Sequence, residues 1–308
     1  MGNHNRTKGE HAEYMRRWRA GEIAPRRTTE VRKEQIREGS TLYAPLQMPA
    51  WRMQIDNAPA HGLRVAVIPD AQVKPGTPVE HLRAAGNYIA DKRPEVVVCI
   101  GDFADMASLS LHSDRGSSEM EGKRYADDIL AAQNAMAELM RPIHAAPNYD
   151  PILVMTLGNH EDRITRAINA NPRQLEGLIS LADLRYEELG WKVSPFLQPV
   201  IIGGVAFCHY FPSGKMGSPV QTPAGIIQKL HMSAFAGHQQ GRQIAYAKRA
   251  DGADMTAIIS GSFYLHDEEY LSPFTNRHWR GMWMLNEARD GEFDEMALSV
   301  NYLLRKWA

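Results

Sequence analysis

The stretch Val97-Val98-Cys99-Ile100-Gly101-Asp102-Phe103-Ala104-Asp105 reads as a buried strand, a glycine turn and two acids three residues apart. So short an apolar run, closed by Gly, suits a central parallel strand. In open α/β sheets, ligands gather at the carboxyl ends of strands, and Asp102 would stand there. Taken alone it means little, because an acid after a strand is usually a turn or a helix cap.

The arrangement recurs along the chain. Val65-Ala66-Val67-Ile68-Pro69 leads into Asp70-Ala71-Gln72, and Ile152–Leu157 leads into Gly158-Asn159-His160-Glu161. Val205–Cys208 leads into His209, and Ser233–Ala236 leads into Gly237-His238-Gln239-Gln240. Such oxygen and imidazole groups, gathered at one edge of a sheet, would build a two-metal site.

In this order the motifs resemble those of the calcineurin-like metallophosphoesterases: D-x-H, GD-x-x-D, GNH-[ED], a lone H, then GH-x-H. The resemblance runs over roughly residues 63 to 300. Each motif is weak alone, and the ordered set, each member after a strand, is strong. The wording also resembles bacteriophage-encoded members. The resemblance implies an α/β fold in which two mixed β-sheets pack as a sandwich flanked by α-helices, with metals at one edge.

It also implies two divalent metal ions, Mn²⁺ first among the candidates, with Mg²⁺, Fe and Zn²⁺ as the others. Asp102 would bridge them. Asn159, His209 and His238 would complete the second site. Asp70 and two imidazoles would complete the first, but those two positions are Gln72 and Gln240 here. A glutamine offers a neutral amide oxygen, a weaker and harder ligand than imidazole. Two readings follow: a first site shifted towards Mn²⁺ or Mg²⁺ with more water ligands, which we favour, or a weak or empty one. A third reading has both glutamines simply capping loops.

By the same resemblance, His160 binds no metal but points at the leaving group, oriented by Asp105. A carboxylate on one imidazole nitrogen fixes the tautomer and supports the cation, which suits a general acid. Arg163, one turn on, would clamp a phosphate oxygen unless it is an exposed helix arginine. Protein phosphatases of this superfamily carry Arg after the second acid. Met106 follows Asp105 here, which weakens that reading. His112, His231, His266 and His278 read as solvated loop residues before substrate contacts. Trp279 and Trp283 read as core.

Residues 1–60 look separate from a catalytic domain over 61–308. They carry 11 Lys/Arg against 7 Asp/Glu, so 11 − 7 = +4, although the whole chain has a net charge of −1. They lack strand signals and suggest two short helices, about 10–20 and 29–38, ended by Gly21 and Gly39. A basic arm with Tyr14 and Trp18 suits DNA or RNA by phosphate contact and stacking. Its alternative is a solvated arm wrapped on the domain or a neighbouring subunit.

Further along, Thr77-Pro78-Val79-Glu80 and Ser118-Glu119-Met120-Glu121 have capping-box spacing. A helix with Tyr125, Ile129, Ala132, Met136 and Leu139 on one face should stop at Pro142. Another should run over 173–188. Gly203-Gly204, Asp251-Gly252 and Asp290-Gly291 mark hairpins. Cys99 and Cys208 read as buried thiols of a reducing cytosol. No apolar run reaches membrane-spanning length, and no secretory signal is expected.

The expectation is a cytoplasmic, metal-dependent phosphoester hydrolase with a dinuclear centre and metal-activated water. It leans to a phosphodiesterase or nuclease acting on nucleic acid or nucleotides. The alternatives are a phosphomonoesterase, or a binding protein on a degenerate scaffold.

Overall fold

The computed structural model describes residues 53–55, 59–110, 120–214, 217–268 and 275–308. The first described element, Met53–Ile55 (β1), corrects the absence of strands expected before residue 61. Three residues are too few to show alternation. What holds β1 is parallel pairing with a strand far along the chain, Met53 opposite Val200.

Leu63–Ile68 (β2), Glu80–Lys92 (α1) and Val96–Cys99 (β3) form the expected βαβ unit, with Val67 beside Val98 in parallel register. Leu82, Ala85 and Ile89 of α1 are fully buried. The helix starts at Glu80 without a Thr77 cap. Thr77 Oγ1 instead donates to the Lys74 carbonyl (2.7 Å) and closes the preceding loop.

Helix Tyr125–Ala145 (α2) runs through Pro142 rather than ending there. Proline deletes a backbone donor, but Met140 and Ile143 on either side are in the core, and their burial carries the last turn. Ile152–Thr156 (β4) lies parallel to β3. The helix expected over 173–188 is broken into Pro172–Leu175 and two 3₁₀ turns, Leu181–Leu184 and Glu187–Leu189. The Ser180–Asp183 capping box restarts the chain, and Asp183 also accepts from Tyr125 Oη at 2.7 Å. Asp162–Ala170 (α3) precedes this region, with Pro172–Leu175 as α4.

The later chain is mostly β. Lys192–Ser194 (β5), Val200–Ile202 (β6) and Val205–Cys208 (β7) come first. Gly203 and Gly204, at φ 57° and 80°, turn the β6–β7 hairpin as two-residue turns require. Pro212–Ser213 (β8) and Ser218–Pro219 (β9) make a small hairpin. Helix Pro223–Leu230 (α5) leads to Ala234–Ala236 (β10). The Asp251-Gly252 turn joins Arg242–Lys248 (β11) to Asp254–Ser260 (β12). The Asp290-Gly291 turn joins Gly281–Arg289 (β13) to Glu292–Ser299 (β14). Val300–Trp307 (α6) packs on α1, with Tyr88 and Trp307 edge to face at 4.9 Å.

Two six-stranded sheets result, in the orders β14-β13-β2-β3-β4-β5 and β1-β6-β7-β10-β12-β11. Side chains of a strand alternate between faces. Val65, Val67, Val98 and Val154 therefore meet Val205, Phe207, Phe235 and Ile258 in one core cluster between the sheets. Ala66, Val97 and Cys99 pack against α1 and α2 on the outer face. The chain is an α/β sandwich of mixed sheets flanked by helices. Cys99 and Cys208 are free and buried. Among the described residues no helix is long and apolar enough to cross a membrane.

One contact fixes how α1 meets α2. A Cβ on Gly86 would stand 2.3 Å from the Leu139 carbonyl oxygen. Alanine is the better helix former, yet here Gly86→Ala should destabilise, by about 1–3 kcal/mol for overpacking. A denaturant midpoint at or above that of the parent chain would show that the helices simply move apart. Residues 1–52 with their expected arm helices, His112, and Ser118 and Glu119 of the second capping box lie outside the described residues.

Candidate active site

Five strand ends converge, three from one sheet (β2, β3, β4) and two from the other (β7, β10). Their loops are tied in pairs by the backbone. Gln72 N–H donates to the Asp102 carbonyl and Gly237 N–H to that of His209, both at 2.8 Å. Gly101, at φ 90°, lets the loop after β3 press on the loop after β4, and a Cβ there would lie 2.6 Å from Gly158 N.

Glu161 locks this junction and was not among the expected site residues. It is fully buried, and its carboxylate accepts three backbone N–H groups: Asp102 (3.0 Å), Ala104 (3.0 Å) and Gly158 (2.9 Å). It was legible only as the last letter of GNHE. Gln72, Asp102 and His238 all sit in the left-handed region, at φ 42°, 48° and 67°. Each such residue costs about 1–3 kcal/mol and persists only where its surroundings over-determine it. No propensity in the sequence announces this strain.

Asp102, His209 and His238 each present one ligand atom, and these atoms lie within 4.8 Å of one another. His209 is fully buried, and its Nδ1–H donates to the Ile100 carbonyl at 2.9 Å. Its Nε2 therefore faces two acceptors, Asn159 Oδ1 at 2.9 Å and Asp102 Oδ2 at 3.2 Å. His238 Nδ1 meets the same Asn159 oxygen at 2.8 Å. Acceptors and imidazoles crowd together in this way where a positive charge belongs between them.

The electrostatics agree. Burial opposes a charge on His209, but the Asp102 carboxylate overrides it and raises the imidazole to about 9. Burial, then His209, lowers His238 to about 4. Burial also works against the Asp102 anion, yet His160 and His209 hold its carboxyl below the ordinary range. The set Asp102, Asn159, His209 and His238 fits a divalent cation.

His160 stands beside it. Its Nδ1–H donates to Asp105 Oδ1 at 2.6 Å, and its Nε2 lies 3.7 Å from Asp102 Oδ2. Despite burial, Asp102 and Asp105 raise its pKa. Asp105 stays low against burial because it is bonded to His160. Arg163 is not an exposed helix arginine. Its Nη1 donates to the Asp105 carbonyl (2.8 Å) and carboxylate (3.2 Å), and its Nη2 lies 3.3 Å from His160 Nε2.

On the far side, Asp70 is fully buried. Its Oδ2 accepts from His238 N–H at 2.9 Å, and its Oδ1 has no hydrogen-bond partner. Burial, only partly offset by His209, raises it to about 7. Gln72 and Gln240 meet each other, with Gln240 Nε2 donating to Gln72 Oε1 at 3.2 Å.

Of the other histidines singled out above, the described ones, His231, His266 and His278, lie outside the cation cluster. His231 ends α5 in a left-handed cap. His266 pairs with Glu268 at 2.7 Å, and His278 contacts Ser262 at 2.6 Å. Trp283 is fully buried, and Trp279 packs partly buried against the same core.

No family profile matches the chain. Gene 54 protein of Mycobacterium phage D29 is 34% identical over 100 residues, a match covering 32% of this chain and 36% of that protein. The chain thus spans about a third of the length of this relative. Among solved structures, YfcE, a phosphoesterase from E. coli, aligns over 77% of this chain and 100% of its own with a TM-score of 0.35 and 13% identity.

Proposed function

We propose that the chain is a metal-dependent phosphoester hydrolase of the calcineurin-like type. The observation that carries this reading is the Asp105–His160 pair at 2.6 Å, with His160 Nε2 3.7 Å from the Asp102 carboxylate of the cation cluster. A pocket for positive charge beside an oriented imidazole is what hydrolysis of a phosphate ester needs. A pure binding scaffold has no need of the second part.

Asp102, Asn159, His209 and His238 would hold a divalent cation, Mn²⁺ first among the candidates. When bound, it supplies an acidified water and neutralises phosphate charge. Asp70, Gln72 and Gln240 line the position where the resemblance places a second ion. His160 gives its Nε2 proton to the leaving oxygen, and Asp105 keeps Nδ1 protonated and the ring aimed. Arg163 holds Asp105 through Nη1 and turns Nη2 towards the space at His160 Nε2, where it can meet a phosphate oxygen.

A phosphodiester of nucleic acid or nucleotides is the preferred substrate class, acted on in the cytoplasm. The support is the +4 balance of residues 1–60, read as a basic arm that leads into the domain, with Met53–Ile55 already part of its sheet. The test is turnover of p-nitrophenyl phosphodiester and monoester by the full chain, before and after chelation. Turnover should vanish with chelator, return best with Mn²⁺, and be faster on the diester. Faster monoester turnover would make the chain a phosphatase. No turnover of either with any of Mn²⁺, Mg²⁺, Fe²⁺ or Zn²⁺ would leave the non-catalytic scaffold.

A further inference from the structure

The side of the site that carries Gln72 and Gln240 is closed by a chain of hydrogen bonds. Gln240 Nε2 donates to Gln72 Oε1 at 3.2 Å. Tyr264 Oη donates to Gln240 Oε1 at 2.8 Å and also lies 3.2 Å from His278 Nε2. His278 Nε2 in turn lies 2.6 Å from Ser262 Oγ. Tyr264 cannot easily give way. It is fully buried, stacked on His266 at 4.6 Å and covered by the Arg280 guanidinium at 4.7 Å.

Two amides in contact must pair an oxygen with an NH₂ group. Whichever way each amide is turned, one of the two oxygens already accepts from its neighbour, and in the observed arrangement the other, Gln240 Oε1, accepts from Tyr264 Oη. The neighbouring carboxylates have commitments of their own. Asp102 Oδ1 accepts the His160 N–H at 2.9 Å, and its Oδ2 faces His209. Asp70 Oδ2 accepts the His238 N–H. Asp70 Oδ1 has no partner, but it lies against Gly237, where a Cβ would stand 2.4 Å from it and 3.3 Å from His209 Nδ1. That places it towards the imidazole side. Among the described residues, the one group of three histidine or carboxylate side chains placed to hold a cation is Asp102, His209 and His238, and neither glutamine belongs to it.

We infer that this chain binds a single cation tightly, among Asp102, Asn159, His209 and His238, and that the Gln72–Gln240–Tyr264–His278 chain walls off the position where the resemblance implies a second. The inference rests on the metal-dependent reading above, and it makes Gln72 and Gln240 part of a wall rather than ligands.

The test is metal counting on the full chain, stripped with chelator, dialysed and titrated with Mn²⁺ by calorimetry, with electron paramagnetic resonance on the product. One equivalent should bind, with the six-line signal of an isolated Mn²⁺ ion. The double variant Gln72→His/Gln240→His should bind two, with the broadened signal of a coupled pair. Two tight equivalents in the parent chain would overturn the inference. So would a folded double variant that still binds one, since the glutamines would then not be what excludes the second ion. If the double variant fails to fold, the count on the parent chain decides. No bound metal at all would overturn the metal-dependent reading itself, a result distinct from either of these.

Discussion

Glu161→Ala is expected to cost the chain about 3 kcal/mol of stability, although Glu161 is neither a proposed metal ligand nor the proposed acid. The carboxylate serves three buried backbone donors, two through Oε2 and one through Oε1. Removing it strands all three, and each buried donor left unpaired costs about 1–3 kcal/mol. Water entering the gap would recover part of that. For a domain of this size, the loss corresponds to a fall in melting temperature of about 6–12 °C. Glu161→Gln should fall in between. Its oxygen can serve the Asp102 and Gly158 donors, but its NH₂ then confronts the Ala104 N–H. Thermal unfolding of the three proteins side by side is the measurement. An alanine variant melting within a degree or two of the parent would mean that the two loops hold themselves together.

His160→Asn should be the most informative catalytic variant, because its effect should depend on the leaving group. An alkoxide leaves poorly and needs a proton, whereas p-nitrophenolate leaves almost unaided. General-acid help is typically worth about 10²–10⁴-fold, so the loss should approach that range only for poor leaving groups. Asp105→Asn should act in the same direction but more mildly, by disturbing the tautomer that its 2.6 Å hydrogen bond fixes. Asp102→Asn should abolish turnover of every substrate, since Asp102 supplies the carboxylate facing His209. Turnover across a leaving-group series, with metal content measured in parallel, separates the three. Equal losses for good and poor leaving groups, or loss of metal from His160→Asn, would make His160 a ligand or a structural residue.

The parts of the fold that declare themselves in sequence are those whose signal is local. The runs ending at Ile68, Cys99, Thr156, Cys208 and Ala236 are all strands, because each is a short apolar run closed by a turn or a polar residue. The three glycine-marked hairpins follow from turn chemistry. What escaped is set by distant partners. β1 exists through a strand nearly 150 positions away. Pro142 is tolerated because the core claims its neighbours, and the 173–188 helix fails because Asp183 caps a fresh start.

The site divides in the same way. Motif order was enough to point to Asp102, Asn159, His209, His238 and the Asp105–His160 pair, which the structure brings together. The anchoring by Glu161, the left-handed backbone at three site residues and the tie from Gln240 through Tyr264 to His278 depend on geometry across loops. No spacing rule encodes them.

The strand order has a consequence for how the chain is made. β2 is central in its sheet, yet its neighbour β13 begins at Gly281 while β2 ends at Ile68. The separation is 281 − 68 = 213 residues. At about 5–20 residues per second of synthesis, one side of β2 waits roughly 11–43 s on the ribosome for its partner. Until then it keeps an open row of backbone donors and acceptors flanked by Val65 and Val67, the kind of edge through which chains join one another and aggregate. A nascent chain stalled before residue 281 is therefore more than an incomplete one; it is a sticky one, and the last hairpin is what makes the product safe to release.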